Sequence, residues 1–488
     1  MRRLFAPALL ALLAATGGAQ SPRELVARGL TAMGGTDAVR RINSVTYDFS
    51  QVTYGLGQEE TPFSPARGTV AFGRSITDYL NQRRVAWQEL RPAFGGGANT
   101  KQRVVFANGV VVQETNGSAA PDARGGALGN IQRAIRTQPD RLLLSALDNA
   151  ASLTAAVPRL WRHERYPGVH YAVGADTLDL HFDATSGLLT LVAQTIDDPI
   201  LGDRVNLVAY ERWQAAGDVL LPRQIDVTAN GMPASQVTVH AGDVNANIGD
   251  TLFNVPAEVA ARSSRVVVPA DPITVQLTEL SPGVWHATGG THNSLVVEQP
   301  TSLILIEAPL GAARMKAVFD TLSRRFPRKP VLLVVATHHH WDHAGGIREV
   351  LARGIPVLGH ERDAEFFRTI GRAKKTVVPD LLSRTTRVLN VRSLRDSMTI
   401  GEGAGLVKLY TIRTVHVIGL LAAYVPSAQV VFTSDVVNPA PLPAPLPVAG
   451  SRELVDFGAG HGLAVKHYAG GHGRVVAWDE LEKAAARP

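Results

Sequence analysis

The sequence places four histidines and one aspartate within six consecutive positions, in the run His338-His339-His340-Trp341-Asp342-His343. Residues 331–336, just before it, are all apolar and of strand length, which predicts that the run lies at the carboxyl end of a strand. Alternate side chains of an extended segment share one face, so we expect His338, His340 and Asp342 together and His339 turned away. Imidazole nitrogens and a carboxylate in such an arrangement suit one or two zinc ions.

The run and its surroundings resemble the ligand signature of the metallo-β-lactamase fold superfamily, which reads here Thr337-His338-His339-His340-Trp341-Asp342-His343-Ala344-Gly345-Gly346. The ligand types, their spacing, the strand before them and the two glycines after them all agree with that signature. The alternative is a chance cluster of surface histidines, but that interpretation does not account for the strand before the run or the glycines after it. The resemblance therefore implies an αββα sandwich in the C-terminal half and a site for two metal ions.

The resemblance also implies which residues complete the site. One zinc ion would be held by His338, His340 and His416, the other by Asp342, His343 and His472, and Asp435 would bridge them. Asp342 is also assigned the catalytic role. His461 and His472, each between two glycines, compete for the last position, and we favour His472 because a strand-like segment precedes it and a final helix follows it. Val417 departs from the hydroxyl residue that the superfamily usually has after its third histidine.

The sequence leaves the roles of two further residues open. The superfamily usually has an aspartate after the strand that precedes the first helix, and Glu307 stands there in this sequence. Glu307 would either accept a hydrogen bond from the histidine loop or begin the following helix. His292, in the segment Gly290-Thr291-His292-Asn293-Ser294, resembles part of the active-site rim of some exported members, and we expect it at the periphery rather than among the ligands.

The ligand types narrow the metal and the chemistry. The superfamily's di-iron flavoproteins have glutamate where His340 stands, so zinc is favoured over iron or manganese. The absence of cysteine excludes the lactamase class that has a thiolate ligand. The resemblance implies that a hydroxide shared by two zinc ions attacks a small ester, thioester, lactone, lactam or sulfate ester. A bridging aspartate such as Asp435 is more typical of thioester and lactone hydrolases than of true lactamases.

The alternative function is an envelope carrier of lipid or lipoprotein whose metal domain is vestigial. Nucleic acid is not an expected partner, because the net charge of +6 is spread over the chain without a block of lysines and arginines. The expected partner is a small-molecule substrate.

The N-terminus has the layout of a secretory signal peptide. Arg2 and Arg3 precede an apolar run over residues 4–15, and small residues follow, so cleavage is expected after Ala19 or Gln20. The apolar run is too short to span a bilayer of about 30 Å. Residues 1–20 therefore predict a periplasmic or secreted protein without an integral membrane segment after cleavage.

The remaining chain divides into two parts of different pattern. Residues 21–262 alternate between β-branched runs and turn residues, interrupted by a predicted helical region at 128–157, and predict a mostly antiparallel β domain. This part resembles the half-barrel domains of periplasmic lipoprotein carriers, which would imply contact with lipid. Residues 263–272 predict a linker, and residues 273–488 repeat strand and helix as a layered hydrolase domain does. The proline-alternating stretch at 439–447 is expected to border the site.

Overall fold

The structure is a computed structural model that describes residues 20–92 and 98–488. The predicted signal peptide lies almost wholly at residues 1–19, outside the described residues. In the part of the chain that is described, no helix is long and apolar enough to cross a membrane.

The N-terminal part is built on one large antiparallel sheet. Its strands are β1 (Ser44–Tyr54), β2 (Gly68–Asp78), β3 (Arg83–Pro92), β4 (Thr100–Ala107), β5 (Val110–Thr115), β6 (Ser118–Pro121), β7 (Thr154–Trp161), β8 (Glu164–Val173), β9 (Asp176–Phe182), β10 (Leu189–Asp198), β11 (Gly202–Glu211), β12 (Gln214–Ala216), β13 (Val219–Leu221), β14 (Gln224–Ala229) and β15 (Met232–Val244). Thirteen of them pair in the order β6-β5-β4-β3-β2-β1-β15-β14-β11-β10-β9-β8-β7, and β12 and β13 form a separate hairpin. Among the described residues this sheet does not close into a barrel.

The described residues of this part form five helices beside the sheet: α1 (Pro22–Ala32), α2 (Thr36–Arg40), α3 (Gly126–Arg136), α4 (Pro139–Asp148) and α5 (Ala257–Ala260). Helix α1 begins in a capping box, in which Ser21 and Glu24 satisfy each other's backbone amides. The predicted helical region at 128–157 is wrong at its C-terminal end. The helix stops at Asp148, and residues 154–157 belong to strand β7.

The C-terminal part has two facing sheets. One orders β16 (Gln276–Ser281), β17 (Val284–Thr288), β18 (Ser294–Glu298), β19 (Leu303–Ile306), β20 (Val331–Val335), β21 (Val357–His360) and β22 (Val391–Leu394). The other orders β23 (Ser397–Ile400), β24 (Val407–Ile412), β25 (Leu420–Val425), β26 (Val430–Thr433), β27 (His467–Gly470) and β28 (Val476–Ala477). The helices are α6 (Ala312–Arg325), α7 (Trp341–Ala344), α8 (Ile347–Ala352), α9 (Ala364–Arg372), α10 (Val448–Gly460) and α11 (Trp478–Ala485).

The side chains of β19 show how these layers pack. Leu303 and Leu305 join the core formed with α6, α8 and α9, whereas Ile304 and Ile306 join the core between the two sheets. All four are buried, as expected for a central strand that is covered on both faces. Helices α10 and α11 cover the outer face of the second sheet. The predicted αββα sandwich is thereby confirmed.

The N-terminal sheet touches the sandwich through the tips of two hairpins. At the β10–β11 turn, Asp203 accepts hydrogen bonds from the backbone amides of Thr376 and Val377 at 2.7 and 3.0 Å. The β1–β2 loop, which comprises residues 55–67, reaches the histidine run. The segment predicted as a linker is held against the N-terminal part, where Val268 donates to the carbonyl of Arg124 at 2.8 Å.

Candidate metal centre

The histidine run follows β20 and enters a short helix. Residues 336–340 continue from the strand without regular structure, and α7 begins at Trp341, where the amide of Ala344 donates to the carbonyl of His340 at 2.8 Å. Asp342 therefore lies in a helical turn, and the alternation expected of an extended segment does not set its direction. As a result, the structure separates Asp342 from His338 and His340 and places it in a neighbouring cluster.

The first cluster brings together His338, His340, His416 and Asp435, whose potential ligand atoms all lie within 4.8 Å of one another. Three of these atoms are buried ring nitrogens that have no hydrogen-bond partner among the described residues: His338 Nε2, His340 Nδ1 and His416 Nε2. Buried polar atoms are normally paired, so three unpaired nitrogens converging on one point fit a metal ion.

Hydrogen bonds on the far side of two rings determine which nitrogen is free. A carbonyl oxygen only accepts, so the 2.9 Å contact of His340 Nε2 with the carbonyl of Glu59 requires the proton on Nε2 and leaves the Nδ1 lone pair free. Thr337 Oγ1 donates to Glu307 Oε2 at 2.7 Å and lies 3.0 Å from His338 Nδ1. Its only proton is thus used on Glu307, and it accepts from His338 Nδ1, which leaves Nε2 free.

The ring environments also keep these histidines neutral. Burial, followed by the neighbouring His343, lowers the pKa of His338 well below its usual value. Burial and the neighbouring His416 lower the pKa of His340 to about 3. Neutral imidazole is the form that binds metal ions, so both rings are in the required state at neutral pH.

The second cluster consists of His292, Asp342, His343 and His472. His472 Nδ1 donates to the carbonyl of Thr291 at 2.9 Å, which leaves its Nε2 lone pair facing His343 Nε2 at 3.2 Å. Burial opposes a charge on His343, but the carboxylates of Asp435 and Glu307 outweigh it and raise the pKa of His343 to about 10. A proton and a metal ion would therefore compete for this cluster.

Asp435 lies between the two clusters. Its Oδ2 is 2.9 Å from His343 Nε2 and 3.1 Å from His416 Nε2, and its Oδ1 is 3.0 Å from His472 Nε2. Burial alone would raise its pKa, but the surrounding histidines, His338 first among them, hold the pKa of Asp435 well below its usual range. A carboxylate that contacts both groups of ligands is suited to bridge two ions.

Glu307 supports the centre from beneath. It is fully buried, has a left-handed φ of 85°, and lies well before α6 begins at Ala312. Its Oε2 also accepts from Ser434 Oγ at 2.7 Å, and its Oε1 is 3.5 Å from His343 Nδ1. Of the two roles left open for Glu307, the structure shows the contact with the histidine loop.

His292 lies closer to the ligands than the sequence indicates. Its Nε2 is 3.1 Å from Asp342 Oδ2, and its ring centre is 4.1 Å from that of His472. The expectation that His292 is peripheral is therefore wrong. Asp342 Oδ1 accepts a second hydrogen bond, from Gln58 Nε2 at 2.8 Å. Burial would raise the pKa of Asp342, but the bonds from His292 and Gln58 and the charge of His343 hold it well below its usual range.

The other predicted residues lie around the clusters. His339 turns away, with Nδ1 at 3.3 Å from Asp363 Oδ1 and Nε2 at 3.1 Å from the carbonyl of Glu59. His461 packs its ring against Tyr410 and Phe457 at the end of α10, outside both clusters. The proline-alternating stretch starts beside the site, because Asn438, the residue before it, donates to Asp435 Oδ1 at 3.1 Å.

Comparison with known proteins identifies this region. Residues 287–485 match the model of the family described as "Metallo-beta-lactamase superfamily". The C-terminal domain belongs to the metallo-β-lactamase superfamily. Members of this superfamily are metal-dependent hydrolases. The family match does not extend to residues 21–262, so the resemblance of that part to lipoprotein carriers stays a prediction.

Individual relatives match only part of this chain. It is 28% identical over 158 residues to 2,4-dinitroanisole O-demethylase subunit alpha of Nocardioides sp. (strain JS1661), covering 32% of this chain and 45% of that protein. It is 32% identical over 76 residues to an (R)-specific secondary-alkylsulfatase of Pseudomonas sp, covering 15% of this chain and 12% of that protein. Each match thus spans less than half of the relative. A solved metallo-beta-lactamase from Pontibacter korlensis aligns over 44% of this chain and 98% of its own, with 19% identity and a TM-score of 0.33.

Proposed function

We propose that this protein is an exported hydrolase that binds two zinc ions and cleaves an ester-type bond in a small substrate. The observation that carries the proposal is the pair of ligand clusters that share Asp435. The range of substrates includes carboxylic esters, thioesters, lactones, lactams and sulfate esters. Export is proposed from the signal-peptide pattern of residues 1–20.

The proposal assigns a separate role to each group of side chains. Two zinc ions bound here would supply Lewis acidity toward the substrate's oxygen and a nucleophilic water near neutral pH. His338 and His340 present neutral nitrogens on rings whose other nitrogens are already hydrogen-bonded. Asp342 stays ionised and accepts a hydrogen bond from the substrate or from the attacking water, which is its catalytic role. Asn438 holds Oδ1 of Asp435 in place.

The surroundings of the ligands favour a substrate with an apolar arm. Trp341, between two ligands of the run, is 41% exposed, and Val415 and Ile418, on either side of His416, are 80% and 44% exposed. Large apolar side chains exposed beside a polar site are typical of contact with an apolar part of a ligand. The similarity to an alkylsulfatase supports the same substrate class.

A chelation experiment with a substrate panel tests this function. The purified protein would be assayed with p-nitrophenyl esters of acetate, butyrate and octanoate, with p-nitrophenyl sulfate and with nitrocefin, before and after metal removal and after zinc is returned. We expect hydrolysis of at least one ester to disappear with the metal and to return with zinc. Hydrolysis that persists in the metal-free protein would refute the proposal.

A pair of variants connects activity with the ligands. His340→Ala should lose zinc and activity together, whereas His461→Ala, which changes a histidine outside both clusters, should keep both. Equal retention of zinc by the two variants would show that the first cluster is not a metal site. The carrier hypothesis gains no support from the metal domain, in which every predicted ligand lies in one of the two clusters.

A further inference from the structure

The β1–β2 loop of the N-terminal sheet lies directly on the metal centre. The amide of Trp341 donates to the carbonyl of Gly57 at 3.1 Å, and the amide of Ile418 donates to the carbonyl of Glu60 at 2.9 Å. The loop is thus hydrogen-bonded to both ligand-bearing segments, the one that contains the histidine run and the one that contains His416. These contacts join residues that are more than 280 positions apart in the sequence.

One backbone carbonyl of this loop fixes the orientation of a ligand ring. The carbonyl of Glu59 accepts from His340 Nε2 at 2.9 Å and from His339 Nε2 at 3.1 Å, which uses both lone pairs of the oxygen. The bond to His340 directs the unpaired Nδ1 into the first cluster. Without it, the ring could rotate and either nitrogen could carry the proton.

The neighbouring side chain acts on the second cluster. Gln58 Nε2 donates to Asp342 Oδ1 at 2.8 Å, which leaves Oδ2, the oxygen near His292 and His343, directed into the cluster. Consecutive residues of one loop therefore contact one ligand in each cluster. Such contacts to the outer atoms of metal ligands orient them and strengthen metal binding.

The loop is itself held in a defined shape. Glu59 Oε1 accepts from the amide of Gly57 at 2.9 Å, and Ser64 Oγ donates to the carbonyl of Thr61 at 2.8 Å. At its far side the ring of Phe63 packs edge-on against Phe366 of α9, with centres 5.7 Å apart. A loop fixed at both ends can hold the ligands without the entropy cost of ordering a free segment.

We propose that the β1–β2 loop is a positioning element of the metal centre, so that the N-terminal part of the chain completes the site of the C-terminal hydrolase domain. The proposal rests on the metal centre of the proposed function. It assigns Gln58 and the Glu59 carbonyl as positioning groups, which act through Asp342 and His340.

Two variants of the full chain test this role by metal affinity. Tyr54 and Gly68 are paired across the hairpin, so residues 55–67 can be replaced by Asn-Gly, a two-residue turn that preserves the strands. Gln58→Met keeps the length of the side chain and removes its hydrogen bond. Gln51→Met is the matched control, because Gln51 lies in β1 and bonds to Ser235 at 2.9 Å, away from the metal centre.

Zinc affinity is measured by competition with a chromophoric chelator, and the visible spectrum of the cobalt-substituted protein reports ligand geometry. We expect the loop replacement and Gln58→Met to weaken binding of at least one ion about 10–100-fold and to change the cobalt spectrum, with Gln51→Met unchanged. Wild-type affinity and spectrum in Gln58→Met and in a folded loop replacement would overturn the proposal. If the loop replacement does not fold, Gln58→Met decides alone.

Separate measurements of metal binding and of hydrolysis distinguish a failure of this proposal from a failure of the proposed function. A wild-type protein that binds zinc but hydrolyses none of the panel would count against the function, and the affinities would still test the loop. A wild-type protein that binds no zinc would overturn both.

Discussion

Replacement of Glu307 by glutamine should weaken binding of the metal ion in the second cluster and leave binding of the ion in the first cluster unchanged. In the wild type, Oε2 of Glu307 accepts from the hydroxyls of Thr337 and Ser434, both at 2.7 Å, and Oε1 faces His343 Nδ1 at 3.5 Å. A glutamine has one accepting oxygen and one donating amide group. The two hydroxyl donors will hold the oxygen, so the amide group must face His343.

The expected magnitude follows from the tautomer of His343. In the neutral form of His343, which is the form that binds a metal ion, an N–H donor opposite Nδ1 makes this nitrogen an acceptor and moves the proton to Nε2, the nitrogen that faces Asp435 and His472. A metal ion can then bind at Nε2 only if the proton returns to Nδ1, which the glutamine amide opposes. Changes to groups that hold metal ligands typically cost 10–100-fold in affinity, which corresponds to about 1.4–2.8 kcal/mol.

The first ion should be unaffected, because Thr337 still donates to the oxygen of residue 307 and still accepts from His338 Nδ1. A two-ion zinc competition titration measures the two affinities separately. Glu298→Gln is the matched control, since Glu298 is a partly buried carboxylate bonded to Trp285 and Lys329 far from the ligands. An equal loss of affinity for both ions, or an unchanged affinity for the second, would refute the tautomer argument.

Three further predictions concern the second cluster, the substrate and stability. His292→Phe keeps a ring beside His472 but removes the contact with Asp342, so we expect about 10-fold weaker binding of the second ion by the same titration; unchanged binding would return His292 to the periphery. Val415→Ser should raise KM about fivefold for an octanoate ester and leave KM for acetate unchanged, because about 1 kcal/mol of apolar contact is lost; equal effects on both esters would count against an apolar arm. Burial lowers the pKa of His286 to about 4, so the unfolded chain binds the proton more strongly between that value and about 6.5, and stability falls as pH drops through this window. The wild type should therefore lose about 2 kcal/mol more than His286→Gln between pH 7 and pH 5 in urea unfolding, and parallel losses would contradict the assignment.

The sequence predicted the local part of the site, in which ligand spacing and the preceding strand are encoded by neighbours. Its grouping of Asp342 with His338 and His340 on one face is wrong, since the helical turn at Trp341 replaces the extended alternation and puts Asp342 in the neighbouring cluster. The helical region at 128–157 was extended too far because alanine and leucine in residues 150–157 suit a helix, whereas pairing with β8 makes residues 154–157 a strand.

His461 and His472 both lie between two glycines, so the glycines alone could not decide between them in the sequence. The structure shows that only the glycines beside His472 are required by close packing. A Cβ on Gly471 would lie 2.1 Å from Ser434 Oγ, and one on Gly473 would lie 2.1 Å from the carbonyl of Pro439. For Gly460 and Gly462, no atom lies within 4 Å of the corresponding position. The glycines around His472 thus permit a close approach to the centre. Gln58 and Glu59 carry no local signal at all, because only the tertiary fold brings the β1–β2 loop to the ligands.

The zinc content of the purified protein tests the central claim most directly. Elemental analysis of the full chain, set beside ester hydrolysis during stepwise removal and return of zinc, measures both the stoichiometry and its consequence. The two clusters around Asp435 predict two zinc ions per chain and activity that follows their occupancy. A protein that takes up no zinc, or whose hydrolysis is the same with and without it, would contradict this account.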